Sequence, residues 1–151
     1  MIEAWFDGVC EPKNPGGHGA YGVYIRSKHI DWKEGVYVGY GETISNNVAE
    51  YSGFIDILRR LKNNFLTKEK IIIRGDSKLV IEQMSGCWKI KKGIYVPLAY
   101  EAQKLLRKFR KTTLEWIPRD ENEVCDKLAK DVLRKRSIVF KIQPEPKLCQ
   151  K

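Results

Sequence analysis

The chain has 151 residues, of which 42% are hydrophobic and 31% charged, and its formal net charge is +9. This length predicts one domain of an ordinary soluble globular protein, and the absence of long apolar runs and of a leader-like first segment excludes a membrane span and a signal peptide. The excess of Lys and Arg favours a polyanionic partner, of which nucleic acid is the commonest.

The first half of the chain predicts three strands. The first covers residues 2–7 and ends at the turn-forming pair Asp7-Gly8. After a loop rich in Pro and Gly, apolar and polar residues alternate over about 19–27 and again over 31–41. Such alternation is typical of a half-buried antiparallel pair of strands.

Helices and strands alternate in the second half. The predicted elements are a helix from the capping residue Ser45 to about Asn64, a strand over Ile71–Arg74, a short helix from 77 to Met84, a basic turn over 87–96, a helix from about Pro97 to Lys111, a strand over 113–118 and a final helix opened by Asp120, which has capping-box spacing to Glu123. This order predicts an α/β fold with a mixed sheet, antiparallel first and parallel later.

The last residues form a separate prediction. We expect a folded domain over 1–135 and a C-terminal tail over 136–151. Within this tail the apolar stretch 137–142 predicts either one more strand or a segment docked on the surface, and the proline-rich residues after it end any strand.

A basic segment follows the short helix. Residues 87–111 contain one acid, Glu101, and are interleaved with Trp88, Tyr95 and Tyr100. The segment's basic residues are Lys89, Lys91, Lys92, Lys104, Arg107, Lys108, Arg110 and Lys111. This pattern suits a phosphate backbone, although a solvated helix face plus a loop accounts for the lysines equally well.

The cysteines are scattered along the chain. Cys10, Cys87, Cys125 and Cys149 include no C-x-x-C pair. This spacing argues against a zinc site and against a secreted disulfide framework. We therefore expect a cytoplasmic protein.

Two carboxylates follow predicted strands. Asp7 ends the first strand and Asp76 follows the strand 71–74, so both emerge side by side if those strands are parallel neighbours. Capping of the next helix by Asp76 or Ser77 is a simpler explanation for this junction.

Two further acids lie on predicted helices. Glu50 shares the apolar stripe of the long helix and needs a cation or an ion pair with Arg74, while Asp126 flanks the stripe of the last helix and alone would be a surface residue. Clustered acids repel one another unless a cation neutralises them, and hard oxygen ligands suit Mg²⁺ or Mn²⁺. Two such ions would support a metal-dependent phosphoryl-transfer reaction.

Four motifs in order resemble those of type 1 ribonuclease H, most of all its short archaeal form. They are Trp5-Phe6-Asp7-Gly8, Ser45-Asn46-Asn47-Val48-Ala49-Glu50, Gly75-Asp76-Ser77 and Asn122-Glu123-Val124-Cys125-Asp126-Lys127-Leu128-Ala129. The resemblance implies the ribonuclease H fold, a five-stranded mixed sheet flanked by helices. It also implies an endonuclease that cleaves the RNA strand of RNA–DNA hybrids with two Mg²⁺ or Mn²⁺ ions.

The resemblance also implies roles for individual residues. The implied metal ligands are Asp7, Glu50, Asp76 and Asp126. Positions that line the minor groove of the hybrid, where 2′-hydroxyls are detected, are matched by Cys10, Asn14, Asn46 and Asn47. Ser45 matches a position that holds a phosphate of the DNA strand. The alternatives are a small buried residue for Cys10 and a simple helix cap for Ser45.

The substrate surface predicted from charge adds Lys89 and Lys91. The family often has a catalytic histidine before the last helix, whereas this chain's histidines are His18 and His29. Arg119 is the cation in that stretch, so we expect it to support catalysis, or else to pair with Glu121 or Glu123 on the surface.

Other functions fit the same residues less well. A DNA-directed nuclease of the same superfamily and a hybrid-binding module without catalysis are the alternatives. Proofreading exonucleases of this architecture have a glutamate where Val9 stands, and a binding module could lose the acids that this chain retains. We expect a monomer that needs no protein partner.

Overall fold

A computed structural model describes residues 1–141 as a five-stranded mixed sheet with four α-helices. The strands are β1 (Ile2–Glu11), β2 (His18–Arg26), β3 (Asp31–Tyr40), β4 (Lys70–Gly75) and β5 (Lys111–Trp116). Their order across the sheet is β3-β2-β1-β4-β5. The pairs β1–β2 and β2–β3 are antiparallel, whereas β1–β4 and β4–β5 are parallel. The mixed sheet predicted from the order of elements is confirmed.

Helices cover both faces of the sheet. They are α1 (Asn46–Asn63), α2 (Lys78–Met84), α3 (Val96–Leu106) and α4 (Glu123–Lys135). Helix α1 packs on β1 and β2 and against α3, and α4 packs on β1, β2 and β3 from the other side. No helix within residues 1–141 is both long and apolar enough to cross a membrane.

The core lies between α1 and the sheet. Phe6 meets Phe54 edge to face, with ring centroids 5.5 Å apart, and both side chains are fully buried. Burial of each such side chain stabilises the fold by about 1.5–3 kcal/mol. Leu58 and Leu61 continue the buried stripe of α1 that the three- and four-residue spacing predicts.

The first strand is longer than predicted. Asp7 pairs with Gly22 and Gly8 with Tyr21, so the chain passes through Asp7-Gly8 without turning and continues to Glu11. The turn prediction is wrong because β2 supplies ladder partners for these residues. Gly8 instead allows α1 to approach the strand closely.

The helix predicted directly after the basic turn is shorter than expected. Helix α3 ends at Leu106, where Lys108 and Phe109 form tighter turn bonds to Leu105 and Leu106, and the N–H of Arg110 donates to Thr67. Strand β5 therefore begins at Lys111, two residues before its predicted start. Phe109 is buried, which explains why the chain turns inward there.

The predicted capping box before α4 is also wrong. Asp120 belongs to a short 3₁₀ turn, Arg119–Glu121, and Asn122 occupies the cap position of α4 without a side-chain capping bond. The capping prediction at Ser45 is confirmed, because its hydroxyl accepts the N–H of Val48 at 3.1 Å.

The residues after α4 dock on the surface as far as Lys141. The N–H of Lys141 donates to Glu11 at 3.1 Å, and the Arg134 guanidinium lies 5.2 Å from the ring centroid of Phe140. Residues 137–141 form no strand. Ile142, the proline-rich stretch after it and Cys149 lie outside the described residues.

Candidate active site

Two acids meet where the central parallel pair of strands ends. The last residue pair between β1 and β4 is Phe6 with Gly75. Asp7 and Asp76 each follow directly in sequence. Ser77 caps α2 by accepting the N–H of Val80 at 3.2 Å. The capping role at this junction therefore belongs to Ser77, and the carboxylate of Asp76 has to be explained in another way.

Glu50 reaches the same place from α1. A side chain on Gly8 would put its Cβ 2.4 Å from the backbone nitrogen of Glu50, so only glycine permits this contact between strand and helix. Carboxylate oxygens of Asp7, Glu50 and Asp76 all lie within 4.8 Å of one another. Asp7 and Glu50 are buried, at 5% and 3% exposure. We call these three residues the acidic cluster.

Burial and mutual repulsion act together on the acidic cluster. The pKa of Asp7 is raised well above its usual range, first by burial and then by the charges of Glu50 and Asp76. The pKa of Glu50 is raised to about 8, mainly by burial and by the charge of Asp76. The pKa of Asp76 is raised by burial, although Arg119 partly opposes this shift. A cation bound among the three carboxylates would favour their ionised forms and lower all three pKa values.

The donor set of the acidic cluster fits a hard divalent cation. Its ligand atoms are carboxylate oxygens, and Glu50 Oε2 is buried without a hydrogen-bond partner among the described residues. The alternative explanation for Glu50, an ion pair with Arg74, is wrong. Half-buried Arg74 instead bonds Glu3 at 2.6 Å and Glu115 at 3.3 Å, both on neighbouring strands of the sheet.

Asp126 lies beside the acidic cluster but outside it. It is half-buried on α4 and pairs with Lys130, Oδ2 to Nζ at 2.9 Å. Its charge contributes to the raised pKa of Asp7, so the two carboxylates are electrostatic neighbours. Helix α4 comes this close because Gly22 and Gly35 lack side chains. A Cβ on either would lie 2.3 Å or 2.4 Å from a carbonyl oxygen of α4.

The residues predicted to bind substrate occupy two regions. One lies at the start of α1, where the N–H of Asn46 donates to Asn14 Oδ1 at 2.9 Å. Ser45 is buried, Asn47 is half-buried beside it, and buried Cys10 donates its thiol hydrogen to the carbonyl of Lys13. The other region is the basic turn, residues 87–96, where Lys89 and Lys91 are exposed.

A family model described as reverse transcriptase-like matches residues 5–132 of this chain. The chain belongs to this family. The match covers β1 through most of α4 and therefore includes the acidic cluster and Asp126.

Relatives of this reverse transcriptase-like protein include ribonucleases H. Ribonuclease HI of Halobacterium salinarum is 31% identical over 135 residues, 87% of this chain and 64% of that protein. The crystal structure of ribonuclease H1 from the same archaeon has a TM-score of 0.76 at 29% identity, covering 89% of this chain and 98% of that one. The resemblance to type 1 ribonuclease H drawn from the motifs is confirmed.

Other similar proteins differ in length or identity. The bifunctional protein Rv2228c of Mycobacterium tuberculosis is 43% identical over 89 residues. The match covers 59% of this chain but only 24% of the length of Rv2228c. A ribonuclease H1 named LC11, solved in complex with an RNA/DNA hybrid, has a TM-score of 0.73 at 24% identity, covering 88% of this chain and 99% of that one. This second likeness shows the fold alone.

Two residues that support the acidic cluster of this reverse transcriptase-like protein were not predicted. Buried Asn122 donates from Nδ2 to the carbonyl of Phe6 at 2.8 Å, and its side chain also lowers the pKa of Asp76 by hydrogen bonding. Trp116 donates its indole N–H to the backbone carbonyl of Asp76 at 3.1 Å. The signal for Asn122 was its place at the start of the last motif, whereas a half-exposed strand tryptophan gives none.

Arg119 faces the acidic cluster. Its Nε lies 4.0 Å from Asp76 Oδ2, and half of its side chain is exposed. This ion pair replaces the surface pairing with Glu121 or Glu123 that was the alternative. A fixed cation therefore stands at the edge of the site, where it can contact a bound anion.

Proposed function

We propose that this protein is an endonuclease that hydrolyses the RNA strand of RNA–DNA hybrids with two divalent metal ions. The supporting observation is the largely buried acidic cluster, whose oxygens lie within 4.8 Å of one another at the end of the parallel strands. Burying such a set without a cation is unfavourable, as the raised pKa values of Asp7 and Glu50 indicate. A function that needs a cation there explains the arrangement.

The proposed metal ligands are Asp7, Glu50, Asp76 and Asp126. Asp126 would exchange its ion pair with Lys130 for a metal contact. Mg²⁺ or Mn²⁺ suits these oxygen donors. Two bound ions would stabilise the attacking and leaving oxygens of a phosphodiester displacement.

The proposed substrate surface joins both regions described above. Cys10, Asn14, Asn46 and Asn47 would line the minor groove of the hybrid, where 2′-hydroxyls distinguish RNA from DNA. Ser45 lies at the N-terminus of α1, which favours a phosphate of the DNA strand. Lys89 and Lys91 would contact phosphates farther along the duplex.

The proposed enzyme is a cytoplasmic monomer. Residues 1–135 would form the catalytic domain, working as a monomer without a protein partner. Cys10, Cys87 and Cys125 are free thiols, which favours the cytoplasm.

A substrate panel tests the function. The protein is incubated with an RNA–DNA hybrid, RNA–RNA and DNA–DNA duplexes, and single strands, each with Mg²⁺, Mn²⁺ or EDTA. We expect internal cleavage of the RNA strand of the hybrid with either metal and none with EDTA. Preferred cleavage of DNA–DNA would identify a DNA-directed nuclease, and hybrid binding without cleavage would identify a non-catalytic module.

The basic turn supplies a prediction about binding. Replacing Lys89, Lys91 and Lys92 together by glutamine should weaken hybrid binding and reduce its salt dependence by up to ~0.9 in slope per lost phosphate contact. Turnover at saturating substrate should change little, because these lysines lie outside the acidic cluster. Fluorescence anisotropy of a labelled hybrid, titrated at several salt concentrations, measures both quantities.

A matched triple variant controls for net charge. Lys28, Lys68 and Lys70 are exposed at the end of the sheet opposite the acidic cluster. Replacing them by glutamine removes the same charge and should leave the salt slope unchanged. If the two triple variants have the same salt slope of binding, the basic turn is an ordinary solvated surface.

Arg119 supplies a prediction about turnover. Arg119→Ala should lower kcat about tenfold, because a protonated guanidinium beside Asp76 stabilises anionic charge without transferring a proton. The loss should be much smaller than that from removing a metal ligand. Arg59→Ala is a control of similar exposure, since Arg59 pairs with Glu101 away from the site. Unchanged turnover and binding in Arg119→Ala would show that Arg119 is only a surface residue.

A further inference from the structure

Gln83 on α2 is a buried amide that bonds three separate parts of the protein. It is 2% exposed. Its Oε1 accepts the hydroxyl of Tyr51 on α1 at 2.5 Å. Its Nε2 donates to the hydroxyl of Tyr95 at 3.0 Å and to the backbone carbonyl of Lys89 at 3.1 Å. A buried amide that binds in three directions fixes the positions of all its partners.

The three partners connect the acidic cluster to the basic turn. Tyr51 directly follows Glu50 on α1, and its ring stacks on that of Tyr95 with centroids 5.7 Å apart. Lys89 and Tyr95 belong to the basic turn. Gln83 is therefore the polar link from the helix that supplies Glu50 to the loop that supplies the exposed lysines.

The basic turn has little structure of its own. Residues 87–94 form neither helix nor strand, and their backbone bonds back to α2 come from Cys87 and Trp88 to the carbonyl of Glu82. Beyond Trp88, the amide of Gln83 holds the main chain at Lys89. Ile90 and Tyr95 also pack against the core, so removing that amide would loosen the main chain at Lys89 and leave the sheet intact.

We propose that Gln83 is a positioning residue that sets the basic turn at a fixed distance from the acidic cluster, so that the lysines contact the hybrid while the RNA strand lies at the acids. This inference rests on the proposed function. It places the effect of Gln83 on substrate affinity, because its partners in the turn are backbone and tyrosine groups away from the carboxylates.

The test compares Gln83→Leu with the wild-type protein. We expect KM and Kd for the hybrid to rise about tenfold, the scale of one or two lost hydrogen bonds, with kcat changed less than about twofold. The salt slope of binding should fall, as in the triple lysine variant. Trypsin should cut after Lys89, Lys91 or Lys92 faster than in the wild-type protein, since the main chain of the turn is held less tightly.

Two further variants separate positioning from general stability. Ser52→Ala on α1 removes a side-chain bond to the carbonyl of Val48, and it should leave affinity, salt slope and turn proteolysis unchanged. Tyr95→Phe removes one bond of the network and keeps the ring. It should show a smaller rise in Kd, and it takes the place of Gln83→Leu if that variant does not fold.

The possible failures are distinguishable. A folded Gln83→Leu variant with unchanged Kd and salt slope would overturn the inference, as would a fall in kcat at constant KM. Absence of metal-dependent hybrid cleavage by the wild-type protein would overturn the proposed function instead.

Discussion

Asp7→Asn is expected to reduce metal-dependent cleavage of the hybrid by a factor of about 10³ or more. A bound divalent ion contributes several kcal/mol to the transition state, and each 1.36 kcal/mol is a factor of ten in rate. Asp7 is repelled by three neighbouring carboxylates, since the charges of Glu50, Asp76 and Asp126 all raise its pKa. The amide retains the shape of the carboxylate but is a poor metal ligand, so the fold should survive.

The same substitution should stabilise the metal-free protein. The raised pKa values of Asp7 and Glu50 mean that the folded state binds protons more tightly than the unfolded chain. Their contribution to stability is therefore present at low pH and is lost as the pH rises toward about 8, the pKa of Glu50. Wild-type Tm in EDTA should fall over this range more than that of Asp7→Asn.

Thermal scans with and without Mg²⁺ complete the experiment. Ligand binding to the folded state raises Tm, so Mg²⁺ should stabilise the wild-type protein and have much less effect on Asp7→Asn. Asp131→Asn is the control, because Asp131 is a half-buried acid of α4 that pairs with Lys127 and Arg134. It should resemble the wild-type protein throughout. Near-normal cleavage by folded Asp7→Asn would refute the metal-ligand assignment.

Gly8→Ala is expected to disable the site without changing a polar group. The new Cβ would lie 2.4 Å from the backbone nitrogen of Glu50 and 2.6 Å from the carbonyl carbon of Ala49. Backbone atoms cannot rotate away as a side chain can, so α1 must move from β1 and take Glu50 with it. Overpacking of this kind costs typically 1–3 kcal/mol, and kcat should fall by about 10²-fold or more.

Gly53→Ala is the matched control on the same interface. Its new Cβ would lie 3.4 Å from Phe6 and Tyr21, which is ordinary contact. Because alanine is favoured over glycine in a helix by about 1 kcal/mol, this variant should keep its activity and match or exceed wild-type Tm. Urea titration and initial cleavage rates give both comparisons. Full activity in Gly8→Ala would show that the distance between β1 and α1 does not position Glu50.

Local sequence patterns predicted the elements whose signal is local. The stripe of α1, its cap at Ser45 and the positions of strands β2 and β3 all follow from neighbouring residues. The half-buried pattern predicted for β2 is wrong, because α1 and α4 both pack on that strand and bury most of it. Predictions failed where a distant partner decides. Asp7-Gly8 stays extended because β2 pairs with it, and α3 stops because Arg110 bonds Thr67 in a distant loop.

The candidate site shows the same division. Parallel pairing of β1 with β4 places Asp7 beside Asp76, as the sequence predicted on the condition that the two strands are neighbours. The contact of Arg119 with Asp76, by contrast, depends on how the short 3₁₀ turn places that arginine. The three hydrogen bonds of Gln83 could not be predicted from its neighbours in sequence either, since its partners come from α1 and from the basic turn.

The close packing of α4 on Gly22 and Gly35 has a consequence for how the protein folds. Asp7, Glu50 and Asp76 lie within the first 76 residues, whereas Asp126 reaches them through contacts of Gly22 and Gly35 with residues about a hundred positions later. Contacts so distant in sequence form slowly, because a large loop must close first. We hypothesise that the sheet assembles before α4 docks. Stopped-flow refolding should then recover the far-ultraviolet signal before the proposed cleavage activity. Simultaneous recovery of the two would contradict late docking of α4.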